Sequence, residues 1–66
     1  MGYRIKELRK NLNMTQEELA QKAGVSRATV NDIETDPKKK MTLRTLEKLA
    51  AALGVSIDRI FFDEGV

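Results

Sequence analysis

Ala20 is followed by Gly24 four residues on, Val30 ten on and Ile33 thirteen on, and that spacing constrains the chain more than any other feature. Leu19, Ala20 and Ala23 fall on one face of a helix. Gly24 then stands where the chain must reverse, and without a Cβ it can take a positive φ at little cost. Val25, Val30 and Ile33 follow, the last two at the three-residue spacing of one buried helical face. Two short helices joined by so few residues can cross steeply only if the crossing side chain is small. Ala20 fills that requirement, since a larger residue would push the helices apart.

The ends of both helices carry their own signals. Thr15-Gln-Glu-Glu18 is a capping box: the Thr15 hydroxyl accepts from the Glu18 amide, and the Glu18 carboxylate reaches back to the Thr15 amide. Ser26 can cap the second helix. Thr35-Asp36-Pro37 ends it, because proline disfavours a helical residue before it.

Three further helices are expected around this pair. Ile5, Leu8 and Leu12 fall at i, i+3 and i+7, which predicts a helix from about Tyr3 to Leu12, closed by Asn11 and Asn13. Thr42 can cap a fourth helix in which Leu43, Leu46, Leu49, Ala50 and Leu53 keep a helical period, ended by Gly54. Ser56 is placed to cap a short fifth helix with Ile57, Ile60 and Phe61 on its inner face. No β-alternation, repeat or low-complexity segment is present. The fold class is therefore all-α, with five helices in one domain over residues 1–66.

Composition narrows the functional classes. A chain of 66 residues buries only about 60% of its unfolded surface, so modest stability is expected. With no Cys and no His, neither a disulfide nor the usual zinc site can reinforce it. No metal or other cofactor is expected, and no small-molecule ligand is evident. Residues 1–10 lack the apolar stretch of a secretory leader, and the longest apolar run, Leu49 to Leu53, is far too short to span a bilayer. A cytoplasmic protein without a membrane partner is expected. An enzyme is not: no phosphate-cradling glycine loop occurs, and the paired Glu17 and Glu18 are explained by the capping box and the helix dipole.

Charge points elsewhere. The net charge is +2, but residues 58–66 hold Arg59 against Asp58, Asp63 and Glu64, which leaves residues 1–57 more basic than the total suggests. Lys38, Lys39, Lys40 and Arg44 stand together with no acid between them. Such a patch suits a polyanion, or it is simply a solvated loop. Likewise the steep helix pair is either a hairpin in a small bundle or a helix-turn-helix that lays its second helix in a DNA major groove. Each feature alone is common; the small residue, the glycine, the caps and the basic run together favour DNA.

Over Ile5 to Phe61 the chain resembles the Cro/CI-type (lambda-repressor-like, XRE) helix-turn-helix domains. The resemblance is carried by Ile5-Lys-Glu-Leu-Arg9, Met14-Thr-Gln-Glu-Glu-Leu-Ala-Gln-Lys-Ala-Gly-Val-Ser26, Thr29-Val-Asn-Asp-Ile-Glu34 and Leu46-Glu-Lys-Leu-Ala-Ala-Ala-Leu-Gly-Val-Ser56. It implies a five-helix domain that usually serves as a transcriptional regulator, often a repressor. It also implies that Gln16 hydrogen-bonds a phosphate and braces the recognition helix, and that Arg9 and Glu34 form an ion pair between the first and third helices. The loop departs from the pattern: many members follow the glutamate with Asn-Gly, whereas here Thr35-Asp36-Pro37 precedes the lysines.

Roles within the second helix of the motif follow from donor and acceptor chemistry. Base edges carry sequence information, while phosphate contacts set position and supply non-specific affinity. The exposed positions are Ser26, Arg27, Ala28, Asn31 and Asp32. Arg27 is the candidate for guanine, because its fork matches O6 and N7; a phosphate contact is the alternative. Ala28 offers a methyl, suited to a thymine methyl. Asn31 suits adenine or a phosphate. Asp32 is either an acceptor for cytosine N4 or a partner for Arg27, although a spacing of five puts it nearer the groove's edge. Thr29 either contacts phosphate or helps cap its own helix. Ser26, Gln16, Lys38, Lys39, Lys40 and Arg44 complete the candidate phosphate partners.

One such domain reads few base pairs, so a homodimer on a two-fold symmetric site of double-stranded DNA is expected. Val55, Phe62 and Val66 are the candidate interface, since Phe62 lies off the Ile57, Ile60, Phe61 stripe; alternatively Phe62 folds back over the small core. A protein-interaction module such as an antitoxin or adaptor is the second class of function, and a restriction-modification controller is a variant of the first.

Overall fold

A computed structural model describes residues 2–36 and 41–62. Four helices carry the fold: α1 (Ile5–Asn11), α2 (Gln16–Ala23), α3 (Arg27–Thr35) and α4 (Leu43–Leu53). A single 3-10 turn, Ile57–Arg59, takes the place of the expected fifth helix. Ser56 has the extended backbone of a cap but makes no side-chain cap bond, and the chain after Ile60 turns to strand pairing instead of continuing a helix. Phe61 accordingly leaves the helix and enters β2 (Phe61–Phe62).

That strand pairs antiparallel with β1 (Gly2–Tyr3), Gly2 opposite Phe62 and Tyr3 opposite Phe61. Two residues on each side make a clasp too short to leave any alternation in the sequence. The Arg4 amide extends it by donating to the Ile60 carbonyl at 2.7 Å. The clasp also explains why α1 begins at Ile5 and not at Tyr3: Tyr3 is spent on strand pairing.

The remaining boundaries follow the local signals. The Thr15–Glu18 capping box is complete in both directions, and Ser26 and Thr42 accept from the amides of Thr29 and Thr45. Gly24 takes φ 72° at the end of α2, and Asn13 takes φ 57° after α1. Gly24 is demanded by backbone angle and not by crowding, because a Cβ there would meet nothing within 4 Å. Asp36, the cap of α3, is extended (φ −116°, ψ 100°), as a residue before proline prefers.

The core collects one face of each helix: Ile5, Leu19, Ala20, Ala23, Val30, Ile33, Leu46, Leu49, Ala50, Ala52, Leu53 and Ile60. Truncating a fully buried member such as Leu49 to Ala would cost about 2–5 kcal/mol. Two expected stripe residues lie outside it. Leu12 is 50% exposed because α1 has ended and its side chain leaves the helical register. Leu43 is 65% exposed at the first position of α4, before the helix reaches the core. Ala52, off the expected stripe, is buried because α4 is covered on more than one side, by α1, α2 and the 3-10 turn. None of the helices described is long and apolar enough to cross a membrane.

Candidate nucleic-acid interface

The packing of α3 on α2 decides what α3 can offer. Val30 and Ile33 are turned into the core, and Val25 packs against it from the turn. Their burial leaves Arg27, Ala28, Asn31 and Asp32 exposed, with Ser26 exposed just ahead of the helix. The four candidates for base contact therefore lie on the outward side of a helix anchored on its other side. Ala20, only 4% exposed, stands in the core with Val30 and Ile33, as its small size requires.

Behind α3 lies a polar network that begins in the core. Arg9 is the buried charged residue of the described set, 8% exposed. Its Nε and Nη2 donate to Oε2 and Oε1 of Glu34 at 2.7 and 2.9 Å, a bidentate pair between α1 and the end of α3. Nη1 donates to the Met14 carbonyl at 2.7 Å, so the same guanidinium also holds the α1–α2 connection. Burial by itself would raise the Glu34 carboxyl. The hydrogen bonds from Arg9 and Gln16 and the positive charges of Arg9 and Lys6 outweigh it and hold the group below the ordinary carboxylate value. Arg9 is pushed the opposite way, above its ordinary value, chiefly by the hydrogen bond to Glu34. The ion pair implied by the family resemblance is present.

Gln16, the first residue of α2, joins this network to the exposed face of α3. Its Nε2 donates to Glu34 Oε1 at 3.1 Å and to Asn31 Oδ1 at 3.2 Å. An amide nitrogen has two hydrogens, and both are thereby engaged within the protein. Ser26 and Thr29 are also brought together: the Thr29 amide donates to Ser26 Oγ at 3.1 Å, and the two hydroxyls lie 2.8 Å apart. Whichever hydroxyl donates, one hydroxyl hydrogen of the pair is left for an outside acceptor. Thr29 is thus part of the cap, and the cap can still serve a phosphate.

Arg44 stands exposed as the second residue of α4, on a different element from the α3 candidates. Lys38, Lys39 and Lys40 lie outside the described residues, as does Val66. Of the other interface candidates, Val55 is partly buried against the core, and the backbone of Phe62 is paired with Gly2. The bonds from Gln16 to Glu34 and Asn31, and from Arg9 to Met14, were not legible in sequence. They span 18, 15 and 5 positions and depend on how helices cross.

A two-helix unit tied to the first helix through Arg9 and Glu34, with an exposed polar face on its second helix, defines a helix-turn-helix domain. The comparisons agree: the helix-turn-helix family model matches residues 5–60. The immunity repressor protein of Bacillus phage phi105 is 44% identical over 64 residues, covering 97% of this chain and 44% of the repressor. An uncharacterized HTH-type transcriptional regulator of Archaeoglobus fulgidus is 45% identical over 65 residues, covering 97% of this chain and 90% of that protein. In three dimensions, the crystal structure of the master regulator for biofilm formation SinR in complex with DNA superposes with a TM-score of 0.79 at 38% identity, covering 83% of this chain and 87% of that one. The chain belongs to the Cro/CI-type (XRE) helix-turn-helix family of DNA-binding transcriptional regulators. It spans less than half the length of the phage repressor that it matches.

Proposed function

We propose that this chain binds double-stranded DNA sequence-specifically in the cytoplasm, as a transcriptional repressor acting as a homodimer on a two-fold symmetric operator. The observation that carries the reading is the outward face of α3, where Arg27, Ala28, Asn31 and Asp32 are exposed on a helix anchored by Val30 and Ile33. A rigid helix with polar residues near its N-terminus is what major-groove readout needs. The likeness to SinR in complex with DNA, and to the immunity repressor protein of Bacillus phage phi105, supports the same assignment.

Within it, Arg27 pairs with guanine, Ala28 meets a thymine methyl and Asp32 sits at the groove's edge. Ser26, Thr29, Lys38, Lys39, Lys40 and Arg44 address phosphates. A direct phosphate bond from Gln16 would require it to give up one of its two internal bonds, so bracing is its main part. The dimer is assigned to the end of the chain that holds Val55, Phe62 and Val66.

Selection of bound duplexes from a random pool tests this directly. The expected product is a palindromic site with half-site centres about 34 Å, one helical turn, apart, bound by two chains in sedimentation. An asymmetric site bound by one chain would remove the dimer, and a pool without enrichment would remove DNA readout.

A further inference from the structure

The direction of every hydrogen bond from Arg9 to the surface of α3 follows from Arg9 alone. A guanidinium only donates, and an ionised carboxylate only accepts. Glu34, fixed by Arg9 on both oxygens, must therefore be met by the nitrogen of the Gln16 amide and not by its oxygen. That same nitrogen faces Asn31, so Asn31 must present Oδ1 to it. The Asn31 oxygen is held inward by this bond, and the other half of its amide, the Nδ2 group, is the half turned away from Gln16. Asn31 is exposed. The half of the amide turned away from Gln16 offers a pair of N–H donors.

Resting on the DNA-binding reading above, we propose that Asn31 is a specificity residue for a keto base, guanine or thymine, and that Gln16 is the positioning residue that makes it so. In the major groove guanine presents O6 and N7 and thymine presents O4, all acceptors. Adenine and cytosine present amino groups, which need an acceptor. The usual pairing of asparagine with adenine uses the amide oxygen for N6 and the nitrogen for N7. Here that oxygen is turned towards Gln16, which uses one of its two acceptor sites, and turning the amide over would place its NH2 against the Gln16 NH2. The buried ion pair thus sets the polarity of a side chain on the recognition surface, through two intervening hydrogen bonds.

The test is selection from random duplex DNA with the wild-type chain, Asn31→Ala and Gln16→Ala. The position that Asn31→Ala relaxes identifies the Asn31 contact. There the wild type is expected to prefer guanine or thymine by about tenfold, the scale of one good base contact. Gln16→Ala is expected to admit adenine at that position, because the freed amide can turn, while other positions keep their preferences. A wild-type adenine there overturns the proposal. So does a Gln16→Ala variant that weakens all sites alike, which would make Gln16 a phosphate contact, or an Asn31→Ala variant that relaxes no position. A pool without enrichment overturns the DNA-binding reading and this inference together. Because Gln16→Ala removes a bond to Glu34, the network is also read in the unmodified protein. The two side-chain amide protons of Gln16 are expected to be well separated and slowly exchanging by NMR, and solvent-like shifts and exchange would overturn the relay.

Discussion

Arg9 and Glu34, 25 residues apart in sequence, meet through two hydrogen bonds of 2.7 and 2.9 Å, with the Glu34 side chain only 2% exposed. This pair fixes α1 to the end of α3. It also starts the chain of donors that reaches Asn31. In a small domain without cysteine, stranding one partner of such a contact would take a large share of the total stability.

Removing one partner should be far worse than removing both. Arg9→Ala would strand a buried carboxylate and leave the Met14 carbonyl without its donor, at a cost of about 3–5 kcal/mol. Replacing the pair by Met at 9 and Leu at 34 should cost much less, because two apolar side chains need no partners. Thermal melting followed by circular dichroism checks both, and an unchanged melting curve for Arg9→Ala would remove the pair from this account.

The same pair makes stability depend on acid. Folding holds the Glu34 carboxyl below its ordinary value of 4.5. A carboxyl depressed in this way stabilises the fold fully above its unfolded value, and the contribution is lost as pH falls through the lower, folded value. The difference in melting temperature between wild type and Glu34→Gln should therefore be present at pH 7 and shrink below about pH 4. A difference that stays constant down to pH 3 would contradict the assignment.

Much of this fold was legible because its signals are local. The capping box at Thr15, the caps at Ser26 and Thr42, and Gly24 each act within a few residues, and each appears where the pattern placed it. The failures lie where distant segments compete. Tyr3 was claimed by β1 and Phe61 by β2, since strand pairing between the two depends on which ends the core brings together. Leu12 and Leu43 kept a helical spacing but lie at element ends, where spacing no longer reports burial. In the site, the exposed face of α3 followed from Val30 and Ile33. The double use of Gln16 did not, because nothing in a sequence says which way a surface amide faces.

The turn can be tested at two positions that fail for different reasons. Gly24→Ala should cost about 1–2 kcal/mol, from forcing a Cβ into the left-handed region, since there is room for the group itself. Gly24→Asn should cost less, because Asn tolerates that region. Ala20→Leu should cost about 1–3 kcal/mol or more by overpacking the α2–α3 crossing. Equal melting temperatures for Gly24→Ala and Gly24→Asn would argue against the backbone explanation.

Losing a phosphate contact should weaken binding without changing what is read. Arg44→Ala is expected to lower affinity alike for specific and unrelated duplexes and to reduce the slope of log K against log salt by about 1. Anisotropy titrations at several salt concentrations measure this. A loss confined to one sequence would move Arg44 into the base-reading class.

The proposed readout of base sequence by the exposed face of α3 can be measured one base pair at a time. Its most direct measurement is the affinity of wild type and Arg27→Ala for the selected site and for each of its single-base variants. Arg27→Ala is expected to lose about 1–3 kcal/mol on the selected site and to stop discriminating at one guanine, with the other positions unchanged. A loss of the same size on every duplex would contradict it and leave Arg27 a phosphate contact.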